Sequence, residues 1–107
     1  MDQTIQDELQ MLIDIITGII PVDQIILFGS YVNGILHADS DLDIFVVIKE
    51  DADIREIDAM KLINKAIRDK KTMPVDVIVS KKNKFNQRKY VPSIERQIAQ
   101  ESMVLYG

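Results

Sequence analysis

Three aspartates interrupt segments of the sequence that are otherwise apolar. Asp41 and Asp43 flank a leucine at the start of a run that continues to Ile48, and Asp76 is the second residue of the run Val75–Val79. Residues two apart on a strand point to the same face, so Asp41 and Asp43 are expected side by side. Carboxylates crowded in an apolar setting repel one another, and a divalent cation relieves that repulsion. Oxygen ligands favour Mg²⁺ or Mn²⁺, and three carboxylates suit a two-metal phosphoryl or nucleotidyl transfer centre. The alternative is that they simply lie at exposed strand ends.

A glycine–serine pair lies upstream of these carboxylates. Gly29 and Ser30 follow the apolar run Ile25–Phe28, and ten residues separate Ser30 from Asp41. Glycine lets the backbone approach a phosphate closely, and the free amides and the serine hydroxyl can donate hydrogen bonds to it. The pair therefore predicts a phosphate-binding turn, although the same geometry also suits a simple helix cap.

Hydrophobic periodicity indicates the elements that must position these residues. Short apolar runs rich in β-branched residues predict three strands, at Ile25–Phe28, Asp41–Ile48 and Val75–Val79. Apolar residues at three- and four-residue steps predict helices before, between and after the strands. The expected order is α-β-α-β-α-β-α in a single domain spanning residues 1–107. The fold class is therefore α/β (α+β), with a small mixed β-sheet flanked by helices.

The ends of the predicted helices also carry signals. Thr4 can cap the first helix, and Asp53 can start the one between the second and third strands, with Glu56 placed for a capping box. Pro92 suits the first position of a last helix. The segment Met103–Tyr106 is expected to pack back on the core as a short apolar tail.

Composition and charge narrow the class of protein. The chain of 107 residues has a formal net charge of −4, which argues against free nucleic acid as a partner. It contains no cysteine, which excludes a disulfide scaffold and a thiolate metal site. The N-terminus has no signal-peptide pattern, and the longest uncharged apolar run, Ile15–Val22, is too short to span a bilayer. A cytoplasmic protein is expected.

A basic segment follows the third predicted strand. Residues 81–90 contain five lysine or arginine residues and no acidic residue, with Phe85 and Tyr90 interleaved. The leading interpretation is a solvated connection. The alternatives are an RNA-contacting strip and a set of cations that docks an acidic partner or reaches the phosphates of a nucleotide. The single histidine, His37, is interpreted as a solvated loop residue.

The pattern Gly29-Ser30, ten residues, then Asp41-Leu42-Asp43 resembles the signature of the DNA polymerase beta-like nucleotidyltransferase superfamily, and Asp76 resembles its third carboxylate. The chain is similar over nearly its whole length to the minimal nucleotidyltransferases. The resemblance implies two Mg²⁺ ions, or Mn²⁺, and ATP as the substrate. The catalytic and metal-binding residues that it implies are Asp41, Asp43 and Asp76. The nucleotide-binding residues that it implies are Gly29, Ser30, Asn33 and Ser40.

One position departs from the family pattern. Relatives commonly have a basic residue before the second glycine, where this chain has Asn33. Asparagine can donate a hydrogen bond to a phosphate but supplies no positive charge.

The resemblance also implies a partner. Members of the family are often encoded beside a HEPN-domain protein, as toxin and antitoxin, and the nucleotidyltransferase can transfer AMP from ATP to a tyrosine of the HEPN ribonuclease. We therefore expect an antitoxin that acts on a HEPN toxin, without membrane association, as a homo- or hetero-oligomer. Two alternatives stay open: a non-catalytic module that masks its partner, and the catalytic subunit of a split transferase acting on a small molecule such as an aminoglycoside.

Overall fold

The computed structural model describes residues 3–33, 40–90 and 102–107, with the backbone alone at Asn33. The helices of these ranges are α1 Gln3–Ile19, α2 Ser30–Asn33, α3 Glu56–Ile67 and α4 Lys82–Arg88. The strands are β1 Val22–Phe28, β2 Leu42–Ile48, β3 Val75–Lys81 and β4 Met103–Tyr106. Within the described ranges, no helix is long and apolar enough to cross a membrane.

The strands form one mixed sheet in the order β3-β2-β1-β4. β2 and β3 run parallel, whereas β1 is antiparallel to both β2 and β4. The predicted fold class and the three predicted strands are confirmed. Residues 103–106, which we expected to form an apolar tail, instead form the edge strand β4. This strand pairs with the side of β1 that β2 leaves open.

Helices α1 and α3 pack on one side of the sheet, which we call the helix-covered face. Alternate residues of the central strands point into this layer, as the two-residue period of a strand requires. The helices complete the layer with the apolar stripes that their three- and four-residue spacing predicts. Its most deeply buried members are Leu12, Ile16, Ile25, Leu27, Leu42, Ile44, Val46, Ile48, Ile63 and Ile67.

The opposite side of the sheet, which we call the carboxylate face, carries Asp43 and the residues that alternate with the core positions. A smaller apolar cluster lies there, in which Phe45 of β2 contacts Phe85 of α4 with their ring centroids 5.4 Å apart. Phe85 is buried and anchors α4 on the sheet. The basic segment 81–90 is largely helical, which we did not predict, whereas most of its side chains are exposed, as a solvated connection requires.

Carboxylates from distant parts of the chain hold the start of α4. The Glu56 carboxylate accepts a hydrogen bond from the backbone N–H of Lys81, and Glu50 accepts one from that of Asn83, each at 2.9 Å. These bonds satisfy amides that the first turn of a helix leaves unpaired. The predicted capping box at α3 is wrong, because α3 begins at Glu56 itself, after Arg55, and the Glu56 side chain bonds toward α4.

The other two predicted helix starts have different outcomes. The prediction that Thr4 caps α1 is wrong, because the helix already includes Gln3 and Thr4 lies inside its first turn. The helix predicted to begin at Pro92 lies outside the described residues.

Glu8 is a buried carboxylate that ties α1 to the segment before β3. The residue is 6% exposed and accepts hydrogen bonds from both the backbone N–H and the hydroxyl of Thr72, each at 2.8 Å. Glu8→Ala removes the acceptor for both donors, and we expect it to lower the free energy of unfolding by about 1–3 kcal/mol. Urea denaturation measures this loss. Glu8→Gln keeps one acceptor oxygen and should lose less, and an alanine variant as stable as the parent would contradict this role of Glu8.

Candidate functional site

The strand register brings the predicted carboxylates to one end of the sheet. In the parallel pairing of β2 with β3, Asp43 lies directly opposite Asp76, so both belong to the carboxylate face. Asp41 precedes β2 and is two residues from Asp43. A hydrogen bond of 3.0 Å from the backbone N–H of Leu42 to the carbonyl of Pro74 joins the starts of the two strands. Backbone pairing therefore sets the spacing of Asp43 and Asp76.

Asp43 has a raised pKa. Its partial burial raises its pKa, and the neighbouring charges of Asp76 and Asp41 raise it further. Asp41 and Asp76 are exposed, whereas Asp43 is half-buried. Each of these causes disfavours the charged form of Asp43, and a bound cation would oppose them. A cation bound at this end of the sheet would therefore favour the charged form of Asp43.

Gly29 packs directly against Asp43. Its φ is +77°, in the left-handed region that favours glycine, and a Cβ built on it would overlap the Asp43 carboxylate. The carbonyl of Gly29 accepts a hydrogen bond of 3.0 Å from the N–H of Val32, which closes the turn into α2. The glycine thus serves two needs at once, the turn and the space that the carboxylate occupies.

The remaining predicted site residues lie around this contact. Phe28 pairs with Asp43 across β1 and β2, so the following Gly29 and Ser30 lie beside the start of β2. Ser30 begins α2 and is half-buried, and Ser40, also half-buried, comes directly before Asp41. The side chain of Asn33 and all of His37 lie outside the described residues.

The donor set fits a hard divalent cation in its chemistry, since it offers carboxylate oxygens and no sulfur or imidazole. As placed, the described residues contain no group of three or more Asp, Glu, His or Cys side chains that could hold a metal ion. The backbone of Asp43 and Asp76 is nevertheless in register, and the charges of Asp41 and Asp76 both act on Asp43. The three aspartates therefore lie near one another but do not form a complete metal-binding group as placed.

Sequence reasoning missed two features of this end of the sheet. One is the contact of Gly29 with Asp43, since we had assigned Gly29 only to the close approach of the backbone to a phosphate. The other is Phe28, which lies in one row with Asp43 and Asp76 across three strands. Both depend on which residues pair between strands, and no spacing within a single strand carries that information.

The basic helix α4 begins at the opposite end of β3 from the carboxylates. Asp76 is near the start of β3, whereas α4 follows its end, and five residues of strand from Asp76 to Lys81 span about 17 Å. This distance applies to the start of α4 alone, because Phe85 within the helix contacts Phe45, which is two residues from Asp43. The alternative in which cations of residues 81–90 reach the phosphates of a nucleotide therefore stays a prediction.

The mixed sheet thus carries a glycine–serine turn and paired aspartates at one end. The family model for the nucleotidyltransferase domain matches residues 9–105, and the chain belongs to this family. No curated protein matches the sequence at a significant level.

Two solved structures share the fold. A protein from Sulfolobus solfataricus assigned as a nucleotidyltransferase superposes with a TM-score of 0.61 at 19% identity, over 97% of this chain and 86% of that one. A structure described as a toxin–antitoxin with AMP-PNP superposes with a TM-score of 0.59 at 22% identity, over 92% of this chain and 73% of that one. At these identities the two structures support the fold alone.

Proposed function

We propose that this nucleotidyltransferase domain transfers AMP from ATP to a hydroxyl group of a partner protein, with Mg²⁺, and so acts as the antitoxin of a toxin–antitoxin pair. The observation that carries the proposal is the arrangement at one end of the sheet. There Asp43 lies opposite Asp76 and against Gly29, so a phosphate turn adjoins a pair of carboxylates.

Each residue of the candidate site has its own role in the proposed transfer of AMP. Asp41, Asp43 and Asp76 would hold Mg²⁺, and the chemistry that the ion supplies when bound is neutralisation of the triphosphate charge. Gly29 and Ser30 donate hydrogen bonds to the triphosphate. The acceptor hydroxyl oxygen forms a bond to the α-phosphorus as the bond to the bridging oxygen breaks, and pyrophosphate leaves. Asp76 takes the proton of the attacking hydroxyl.

The acceptor that we propose is a tyrosine of a HEPN ribonuclease toxin. The resemblance to minimal nucleotidyltransferases supports it, and so does the shared fold with the structure described as a toxin–antitoxin with AMP-PNP. The masking module without catalysis remains the second candidate.

Intact mass spectrometry tests the proposal. The protein encoded by the adjacent gene is incubated with this chain, ATP and Mg²⁺, and a mass gain of one or more adenylyl units is expected. Asp41→Asn combined with Asp43→Asn should abolish the gain. Asp51→Asn combined with Asp53→Asn is the matched control, because these exposed aspartates have the same two-residue spacing and the same charge.

Each negative outcome has its own meaning. A stable complex with no mass gain, also with GTP, CTP and UTP, would support the masking module. The absence of both a complex and a mass gain would overturn the proposal of a protein acceptor. That result would favour the split transferase that acts on a small molecule.

A further inference from the structure

The carboxylate face has an acidic end and a basic end. Asp43 and Asp76 lie at one end, and α4 packs over the other through Phe85, which contacts the cluster around Phe45. The start of α4 is about 17 Å from Asp76 along β3. A molecule that reacts at the aspartates and is longer than this distance can therefore touch both ends of the same face.

The outer surface of α4 is cationic. Lys84 and Arg88 are exposed and four residues apart, so they lie on the same side of the helix. The side chain of Lys84 is 48% exposed and pairs with Glu56 at 3.6 Å, and that of Lys82 is equally exposed and pairs with Asp23 at 3.4 Å. Exposed ion pairs of this kind contribute about 0–1 kcal/mol, so carboxylates of a partner can replace them at little cost.

An exposed aromatic ring adjoins these cations. Tyr90 is 76% exposed, the largest value among the exposed large hydrophobic residues of the described chain, and the Lys89 ammonium lies 5.4 Å from the centroid of its ring. Tyrosine and arginine are both enriched at protein interfaces, and Tyr90 follows Arg88 by two residues.

We propose that α4 and Tyr90 dock an acidic segment of the protein substrate, whose reacting hydroxyl then lies at the aspartate end of the carboxylate face. This inference rests on the proposed function for the assignment of the reacting end. It assigns the basic segment 81–90 to the protein substrate and not to the nucleotide phosphates.

The charges favour a protein segment over nucleic acid. A continuous polyanion laid along this face from α4 would meet Asp76, Asp43 and Asp41, and the chain as a whole has a net charge of −4. A short acidic segment places its charge at α4 alone. Tyr90 adds an apolar contact that an acidic peptide with hydrophobic residues can use.

Fluorescence anisotropy with labelled probes tests the inference on the full chain. The probes are a peptide of alternating glutamate and alanine, its glutamine counterpart, and an oligouridine of the same length. We expect the glutamate peptide to bind at low salt, the glutamine peptide not to bind, and Lys84→Gln combined with Arg88→Gln to weaken binding at least about fivefold. Lys61→Gln combined with Lys65→Gln is the matched control, because these exposed lysines of α3 are also four residues apart.

The outcomes separate the possibilities. Equal binding by the two double variants, or no binding of the glutamate peptide, would overturn the inference. Tighter binding of oligouridine that depends on Lys84 and Arg88 would assign the surface to RNA and overturn it as well. The assay needs neither ATP nor Mg²⁺, so a failure of nucleotidyl transfer with peptide binding intact counts against the proposed function and not against the docking surface.

Discussion

Asp43→Asn is expected to abolish nucleotidyl transfer and, at the same time, to raise the melting temperature of the metal-free protein. Activity is lost because the amide cannot supply the charged ligand at the point where β2 and β3 pair. Stability rises because the repulsion from Asp76 and Asp41 disappears. After allowance for screening by solvent, we expect about 0.5–1 kcal/mol, which corresponds to a rise of about 2–8 °C.

Thermal unfolding in buffer with a chelator measures this gain. Asp51→Asn is the matched control, since it removes one exposed carboxylate with the same change in net charge. It should leave both melting temperature and transfer unchanged. A lower melting temperature for Asp43→Asn than for the parent would show that the aspartate cluster does not destabilise the metal-free fold.

Gly29→Ala is expected to cause a large loss of stability through a single added methyl group. The new side chain meets two obstacles, the positive φ of the turn and the carboxylate of Asp43. We expect the free energy of unfolding to fall by about 2–4 kcal/mol and transfer to be lost, because the phosphate turn and the carboxylate both move.

A double-mutant cycle separates the two obstacles. Combining Gly29→Ala with Asp43→Ala removes the overlap and leaves only the backbone term, so urea denaturation should reveal a coupling of about 1 kcal/mol or more. Gly18→Ala is the control: nothing lies within 4 Å of the added Cβ in α1, and alanine should stabilise that helix by about 0.5–1 kcal/mol. Additive effects in the cycle would contradict the contact of Gly29 with Asp43.

The parts of the fold that the sequence predicts are those with local signals. The long apolar stripe of α1 and the β-branched runs of β2 and β3 specify their elements without help from the rest of the chain. α4 does not, because its polar sequence becomes helical through one buried residue, Phe85, and through Glu50 and Glu56, whose carboxylates lie more than twenty residues away in sequence. β4 is equally non-local, since four apolar residues become a strand only by pairing with β1.

The candidate site divides in the same way. The two-residue period of a strand predicts Asp41 and Asp43 on one face. In the structure Asp41 lies just before β2, and its charge acts on Asp43. That Asp76 lies opposite Asp43 depends on parallel pairing at one particular register, which is a property of two strands together. The sequence therefore indicates which residues are candidates for the chemistry, and the sheet determines how far apart they are.

The alternation in β2 has a consequence for how the chain reaches this fold. Every residue of β2 is buried except Asp43. A slip of one position against β1 would exchange the two faces and drive this carboxylate into the apolar layer beneath α1 and α3, at a cost of several kcal/mol. The same charge that weakens the finished metal-free structure therefore excludes misaligned sheets during folding. A variant with an apolar residue at this position would have a higher melting temperature, but it would also form misaligned pairings of β2 with β1 more often.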